Sequence, residues 1–415
     1  MNSVLLYSLE NEKLTVSLSE LLNSSDALNA FIKEFPISKD YTIFFPMRHT
    51  IMSMAVSFIE KKDTEISFIQ DGIELYTYGK EYGMTNLQQL CLHDINEKLD
   101  IDNVCFVHDF ACEQNNYDLQ FMCWMFFDEH WEDVFQMEDF LNCKEPTITR
   151  LVSRPIYETL DELSLFDAVD DWINEKISTE KHPVTDKNAI QQRRKELIRS
   201  FLPKLRLLAI AKVDMENMFD MLALLLTEHE MRAIRDFFSS KDYPNANLSD
   251  FPQTLCNNTK QRNADTYDSL FKYNYKSKSP TGKEISLTRN TQFACDIFVK
   301  EDCFLTDISL PVYFSDTKTV TVDLNVCKNG DENSAQSYHL QCDNDGEACL
   351  SLPPFLEKNS VYHLSSKISE NEKMDIRISS DAHYFITEEE KSDESKKEKN
   401  KNDANNFYFE VILYF

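Results

Sequence analysis

A chain of 415 residues is long enough to form two or three domains, each with its own hydrophobic core. Its hydrophobic content of 42% excludes wholesale disorder, and its formal net charge of −28 argues against a nucleic-acid-binding protein, because phosphate recognition needs a clustered basic surface. The six glycines form neither G-x-G-x-x-G nor G-x-x-x-x-G-K-[ST], so the usual nucleotide-binding enzymes are not expected either.

Cysteine usage and the apolar runs bound the location of the protein. The start, MNSVLLYSLENEK, has no basic flank before its apolar run, and no later run approaches the roughly eighteen apolar residues of a membrane helix. Eleven cysteines without a C-x-x-C pair are typical of reduced core thiols. We therefore expect a protein of the cytoplasm or the nucleus, without a membrane partner.

The first hundred residues combine short strands with helices. SVLLYS and KLTVS predict a hairpin, and LSELLNSSDALNAFI predicts a helical stretch. YTIFF follows as a short buried strand and HTIMSMAVSFIEK as a helix. This alternation predicts a small α/β domain.

From about Ile73 to Phe238 the apolar residues follow a helical period. Two stretches, NLQQLCLHDINEKL and DLQFMCWMFFDEHW, share a Leu-Gln pair with a cysteine four residues after the leucine. Cys91 and Cys123 fall on the apolar stripes of these helices. Further metal ligands at a suitable spacing are missing, so the pattern favours core packing over a metal site.

Two helix starts carry the signature of a capping box. Thr85 with Gln88 precedes the first cysteine-containing helix. Thr159 with Glu162 precedes DELSLFDAVDDWINEKI, whose apolar residues recur on one side of a helix. Both helices are therefore predicted to begin at these threonines.

After SSKDYPNANLSDFPQ the apolar period changes from 3.6 to 2 residues. TVTVDLNV and FYFEVILYF alternate, and FLTDISLPVYF is predicted to be one strand with a shared face formed by Phe304, Thr306, Ile308, Leu310, Val312 and Phe314. Several such strands predict an antiparallel sandwich or barrel. The charged, aromatic-free residues 388–406 interrupt it and predict a disordered loop.

The helical part resembles the BTB-and-C-terminal-Kelch (BACK) domain that follows BTB/POZ domains. LYTYGKEYGMTNLQQLCLHDINEKLDIDNVCFVHDFACEQNNYDLQFMC is similar to the family's run from the last BTB helices into the first BACK hairpin. LSLFDAVDDWI resembles its mid-domain helix, and the β-rich end is similar to the PHR domain, a β-sandwich found after BTB and BACK in one subfamily. The resemblance implies a multidomain α+β chain, with an α/β BTB/POZ fold, an all-α BACK domain and an all-β antiparallel sandwich.

The implied domains have the following bounds: a BTB/POZ-like domain at 1–99, a BACK-like domain at 100–240, a linker at 241–275 and a PHR-like domain at 276–415. The resemblance implies a substrate-recognition adaptor of a cullin-3 type ubiquitin ligase. BTB and BACK would dock on the cullin while the last domain recruits a protein substrate. Such adaptors have no catalytic residues, and we expect no cofactor or metal site.

The cullin-binding motif of this family is a hydrophobic residue, any residue, and then Glu. AFIKEF supplies Ile32 and Glu34, with Phe31 as a further apolar residue. An apolar side chain beside one charge suits a partner's pocket. The alternative is that Glu34 is simply a solvated helix end. The residues that would bind a substrate are not readable from the sequence.

Two rival functions stay open. KLTVSLSELLNSSDAL lacks the Asp and His-Lys usual near the second BTB strand, which favours a cullin-independent scaffold of cytoskeletal or transcriptional type. An enzyme would need a site, yet His108 with Asp109, Glu129 with His130 and Glu132, His229, and Cys112 with His108 each lack a third partner in the sequence. A structural role is the favoured interpretation of these groups.

Charge and chain start add two expectations about partners. Residues 100–170 contain seventeen Asp and Glu against three Lys and Arg, a net charge of −14. This is either a solvated helical face or a surface for a basic partner. Because only Met1 and Asn2 precede the first strand, the N-terminal dimerisation helix of the family is absent, and a monomer or a weaker homodimer is expected.

Overall fold

The fold is described from a computed structural model, over residues 3–25, 27–30, 41–62, 64–157, 159–180, 186–262, 271–273, 277–278, 292–310, 312–314, 320–331, 335–343, 346–368, 376–378, 384–385, 406–407 and 410–414. Its contacts divide the chain into two compact units, Met1–Phe140 and Leu141–Phe415. The domain bounds inferred from the family resemblance stay predictions. Among the described residues, no helix combines the length and apolar character needed to cross a membrane.

The first unit begins with a three-stranded sheet. Strand β1 (Ser3–Tyr7) pairs antiparallel with β2 (Lys13–Ser17), as the predicted hairpin requires, and parallel with β3 (Tyr41–Phe44). Alternate residues of β1 are buried, because period-2 alternation puts Val4 and Leu6 on the same face. Helix α1 (Leu18–Ser24), a helical turn at 27–30 and α2 (His49–Ile59) belong to the same unit.

Four longer helices follow in chain order: α3 (Ile69–Glu81), α4 (Thr85–Glu97), α5 (Val104–Gln114) and α6 (Tyr117–Val134). Helices α3 and α4 approach closely at Gly79, where a Cβ would lie 3.2 Å from Gln88 Cγ. The capping box predicted at Thr85 is wrong, because Met84 occupies the N-cap and no side chain caps the helix. Gln88 instead donates to the Gly79 carbonyl at 3.2 Å.

The helices of the second unit follow a short helix α7 (Glu138–Asn142), which spans the boundary between the units. They are α8 (Glu145–Ser153), α9 (Glu162–Ser178), α10 (Lys187–Ile198), a 3-10 turn (Leu207–Ala209), α11 (Lys212–Leu225) and α12 (Glu228–Ser239). The cap predicted at Thr159 is wrong, because the Asp161 side chain accepts from Ser164 N. A capping box does form at Thr227 and Glu230.

Part of the predicted linker packs against the helices of the second unit. Cys256 N donates to the Leu202 carbonyl at 3.1 Å, and Arg262 is almost completely inaccessible. Tyr157 N in turn donates to the Arg262 carbonyl at 2.9 Å. Residues 252–262 therefore form a strap that is held by backbone hydrogen bonds.

The C-terminal part of the second unit is built from strands. The strands are β4 (Phe271–Tyr273), β5 (Ser277–Lys278), β6 (Gln292–Val299), β7 (Cys303–Ser309), β8 (Val312–Phe314), β9 (Val320–Lys328), β10 (Gln336–Cys342), β11 (Glu347–Cys349), β12 (Phe355–Leu356), β13 (Ser360–Ile368), β14 (Ile376–Ile378), β15 (Tyr384–Phe385), β16 (Asn406–Phe407) and β17 (Glu410–Tyr414). The first sheet has the order β10-β9-β13-β6-β16, with β4 also on β6, and the second has the order β11-β7-β12, with β17 on β7. Two small sheets pair β14 with β8 and β15 with β5.

The buried faces of the two larger sheets share one hydrophobic core. Strand β9 alternates as predicted, but the single strand predicted from Phe304 to Phe314 is wrong. Leu305 and Ile308 are both fully buried, because the pairing register of β7 with β17 shifts between Ile412 and Leu413. The predicted loop 388–406 lies outside the described residues, except for Asn406 in β16.

Candidate partner-binding surface

The predicted cullin-binding residues lie outside the described part of the chain. Phe31, Ile32 and Glu34 fall within 31–40, between the helical turn at 27–30 and β3. Their role therefore stays a prediction. The described hairpin of α5 and α6, which begins the BACK-like region, is the candidate surface for a partner.

Local chemistry at its turn holds this hairpin together. Asn115 ends α5 in the left-handed conformation, with φ of 50°, which asparagine tolerates better than most residues. The side chain of Asn116 then accepts from Leu119 N at 3.0 Å and caps α6. Its amide also donates to the Tyr76 hydroxyl at 2.8 Å, so the turn is tied to α3.

The start of α5 is fixed by a carboxylate from α7. Asp139 accepts from the backbone N–H groups of Cys105 and Phe106, which lie in the first turn of the helix. Burial raises the pKa of Asp139 to about 6, and the charges of Asp109 and Asp102 add to the increase, while the two backbone hydrogen bonds oppose it. The position of Phe106 at the helix start therefore depends on this carboxylate.

The hairpin exposes apolar and acidic side chains. Phe106 on α5 and Met125 on α6 are both exposed, which is unusual for large apolar residues on helices with a buried core face. Exposed carboxylates accompany them on and beside the hairpin: Asp100, Asp102, Glu113, Glu129, Glu132, Asp133 and Glu138. We call this set of exposed residues the hairpin surface. Its chemistry suits a partner with apolar and basic groups.

The predicted His-carboxylate groups of the hairpin are divided between its core and its surface. His108 is buried, with its ring centroid 4.5 Å from that of Trp124, and its Nδ1 lies 3.7 Å from Cys112 Sγ. Asp109 is buried beside it. His130 is exposed and lies 3.9 Å from Glu129. Within the described residues, no three His, Cys, Asp or Glu side chains are grouped to hold a metal ion.

In the second unit, His229 is exposed at the start of α12. It lines a cavity of about 350 Å³ together with Arg232, Asp236 and residues of the following segment. The cavity carries both signs of charge, and its shape assigns no ligand. Each predicted His-carboxylate set is therefore either packed in the core or exposed to solvent.

Two arginines, Arg150 of α8 and Arg154 at the C-cap of α8, contact residues of the C-terminal β region. Arg150 Nη1 lies 3.0 Å from Asp302, and its guanidinium lies 5.7 Å from the centre of the Phe355 ring. Arg154 lies 5.2 Å from the centre of the Tyr414 ring. Sequence reasoning missed this junction, because its partners lie 150 residues or more apart and no local pattern links them.

The comparisons with known proteins concern the same region. Residues 104–186 match the family model of BACK, BTB And C-terminal Kelch. The match begins at the first residue of α5 and ends at the N-cap residue of α10. No curated protein sequence matches the chain.

Two solved structures show only a distant similarity. A ruminal GH26 endo-beta-1,4-mannanase is 21% identical over 29% of this chain, which spans 24% of the mannanase, with a TM-score of 0.15. Xyl-CBM35 in complex with a glucuronic acid containing disaccharide is 14% identical over 26% of this chain and 88% of its own, with the same TM-score of 0.15. At these scores neither structure bears on the function. The BACK match supports a protein of the BTB and BACK type, with a helical region followed by C-terminal antiparallel sheets.

Proposed function

We propose that this chain is a non-catalytic substrate adaptor for a cullin-3 type ubiquitin ligase. The observation that carries the proposal is the BACK match at residues 104–186, because BACK domains are typical of BTB adaptor proteins. In this proposal the first unit docks on the cullin, and the C-terminal sheets, which we propose to be PHR-like, recruit a protein substrate in the cytoplasm.

The hairpin surface supports the docking half of the proposal. Interfaces draw most of their binding energy from a few large side chains that a partner's pocket removes from water, and Phe106 and Met125 are large, exposed side chains that could be buried in this way. The carboxylates around them would steer a basic partner and fix its register without adding much affinity. Phe31, Ile32 and Glu34 are proposed to extend the contact.

The junction at α8 supports the recruiting half. An adaptor must hold its substrate domain in a defined position, and a flexible tether would not do so. The Arg150–Asp302 ion pair and the contact of Arg154 with the aromatic ring of Tyr414 join the helices of the second unit to the sheets. We propose that this junction sets where the substrate is presented.

Calorimetric titration of the full chain with the N-terminal domain of cullin-3 tests the docking half. We expect a Kd below about 1 μM, as a stable but reversible complex requires. Phe106→Ser and Met125→Ser should each weaken binding about tenfold or more. Ile32→Asp and Glu34→Lys should do the same if the predicted motif is part of the contact. Sedimentation of the unmodified chain gives its oligomeric state.

Leu224→Ser is the matched control, because Leu224 is a comparably exposed apolar residue on α11 in the second unit. It should leave the titration unchanged. If the unmodified chain does not bind, the adaptor proposal is wrong and a cullin-independent scaffold takes its place. That second function is favoured by the missing Asp and His-Lys in KLTVSLSELLNSSDAL.

A further inference from the structure

One row of side chains on the first C-terminal sheet brings a thiol, an imidazole and a carboxylate together. Cys327 on β9 lies directly opposite His363 on β13, and His363 lies directly opposite Asp296 on β6. All three strands alternate, and these residues belong to the face that points away from the core. Three adjacent strands therefore place the three side chains in one line, with the imidazole in the middle.

The histidine of this row is oriented by the carboxylate. His363 Nδ1 lies 2.6 Å from Asp296 Oδ1. Because an ionised carboxylate only accepts hydrogen bonds, Nδ1 carries the proton and is the donor of this hydrogen bond. In the neutral ring the lone pair is then on Nε2, at the side of the ring away from Nδ1. Because Asp296 on β6 and Cys327 on β9 flank His363 on opposite sides, the ring edge away from Asp296 is the one nearer to β9. The imidazole is thus held as a base toward Cys327.

The thiol is within reach of this base. Cβ atoms of directly opposed residues in antiparallel strands are about 5 Å apart. A rotation about the Cα–Cβ bond of Cys327 therefore brings its sulfur to the imidazole. A nucleophile, a base and a group that orients the base in this order form the arrangement that activates cysteine in nucleophilic chemistry.

Apolar side chains lie beside the row. Phe298 and Val361 are directly opposed on the same face, two residues along the strands from Asp296 and His363. They are 37% and 43% exposed, in a face where the neighbouring positions are polar. An alkyl chain laid over this pair would leave water while its end stays next to the thiol.

We propose that Cys327 is a covalent modification site for α,β-unsaturated aldehydes that carry an alkyl chain. In the step, His363 Nε2 takes the thiol proton and the sulfur forms a bond to the β-carbon of the aldehyde. The π pair of the carbon–carbon double bond moves to give an enolate, and the proton returns from His363 to the α-carbon. The product is a thioether aldehyde, with no change in oxidation state and no other reactant. This proposal is independent of the adaptor function.

Mass spectrometry of the full chain treated with trans-2-nonenal tests the proposal, with the rate of adduct formation followed at each cysteine. We expect Cys327 to be the fastest site. His363→Gln should lower its rate about tenfold or more, as loss of a positioned base does, and Asp296→Asn should lower it less. Cys327→Ser should remove the fast adduct.

Cys349, on β11 of the second large sheet, is the matched control. It is exposed and lies directly opposite Asp307, and no histidine stands in that pair. Burial and the hydrogen bond with Asp307 raise the pKa of its thiol, so it should react slowly. Its rate should be the same in all variants, because the substitutions lie in the other large sheet. If His363→Gln disturbs the fold, Asp296→Asn supplies the comparison.

The apolar pair has its own test. The ratio of the Cys327 rate with trans-2-nonenal to that with acrolein, which has no alkyl chain, should fall at least about threefold in Phe298→Ser. The rate with acrolein should be unchanged. The proposal is overturned if Cys327 reacts no faster than Cys349, or if His363→Gln and Asp296→Asn leave its rate unchanged.

Discussion

Two regions of the second unit, around Arg262 and around Glu230, each bury a glutamate that faces an arginine, but the hydrogen bonds to the two carboxylates differ. In each, the strap 252–262 closes on helices, and a nearly inaccessible glutamate faces an arginine: Glu162 with Arg262 and Glu230 with Arg199. The pKa of Glu162 is raised, whereas that of Glu230 is lowered to about 2. The presence of an arginine therefore does not decide the direction of the shift.

The difference lies in how many donors reach each carboxylate. At Glu230, burial alone would raise the pKa, but hydrogen bonds from Arg199, from the backbone and hydroxyl of Thr227, and from Thr254 outweigh it. At Glu162, burial is the largest effect, and the positive charges of Arg262 and Arg206 offset only part of it. Within the described part of the chain, Glu162 Oε1 has no hydrogen-bond partner.

Arg262 is shared among several acceptors. Its Nε donates to the Arg154 carbonyl at 2.7 Å, and its Nη2 donates to the carbonyls of Val152 and Lys204 at 2.8 and 2.7 Å. Of the guanidinium nitrogens of Arg262, only Nη1 donates to Glu162. This guanidinium thus connects α8, α9, the segment before the 3-10 turn and the strap, at the expense of a fully satisfied carboxylate.

The largest effect is expected for Arg262→Met. It leaves Glu162 buried without its partner and three carbonyls without a donor, which should cost about 3 to 5 kcal/mol of unfolding free energy. Equilibrium denaturation in urea measures it. Adding Glu162→Leu should restore part of the loss, because the unpaired charge is then gone. Arg232→Met, at an exposed pair with Glu228, should change stability by less than about 0.5 kcal/mol.

A smaller effect is expected for Glu230→Gln. It removes an ionised acceptor of several hydrogen bonds, which should cost about 2 kcal/mol at pH 7. Because the folded-state pKa is about 2 and the ordinary value is 4.5, the ionised group contributes stability above pH 4.5 that is lost as the pH falls toward 2. The difference between variant and unmodified chain should therefore shrink below pH 4.5. A difference independent of pH would contradict this account.

Of the substitutions at these two buried ion pairs, Glu162→Gln is expected to have the smallest effect, at less than about 1 kcal/mol, because a neutral amide oxygen can still accept from Arg262. The folded-state pKa of Glu162 is raised, so its protonated form contributes to the stability of the fold. This contribution is complete below the ordinary pKa of 4.5 and is lost as the pH rises through the raised pKa. The unmodified chain should therefore lose its advantage over the variant with rising pH. Denaturation at a series of pH values separates this trend from the opposite one at Glu230.

How far the sequence predicts the fold can be judged from particular elements. The hairpin of β1 and β2, helix α2 and the alternation of β9 all follow patterns within a few consecutive residues, and the structure has them. The caps at Thr85 and Thr159 fail, because a capping signature is short and another residue can take the N-cap. The same signature at Thr227 and Glu230 does form a capping box.

Some features of the candidate sites can likewise be predicted from local sequence, and others appear only in the folded structure. The acidic character of the hairpin surface is evident from the charge count of residues 100–170, whereas the exposure of Phe106 and Met125 appears only in the folded hairpin. The sequence places Cys112 and His108 one helical turn apart, and in the structure Cys112 Sγ lies 3.7 Å from His108 Nδ1. The row of Cys327, His363 and Asp296 has members 31 to 67 residues apart, and no local pattern joins them.

By itself the sequence determined the helical stretches, the change to β structure after residue 240, the acidic charge and the resemblance to BACK, because each depends on residues close together in the chain. Only the tertiary structure decided the register of β7 with β17, the place of Arg262 in the strap and the alignment of the cysteine row. Strand register and ion-pair partners depend on contacts between distant segments, so the free energy of the whole fold selects them and local propensity does not.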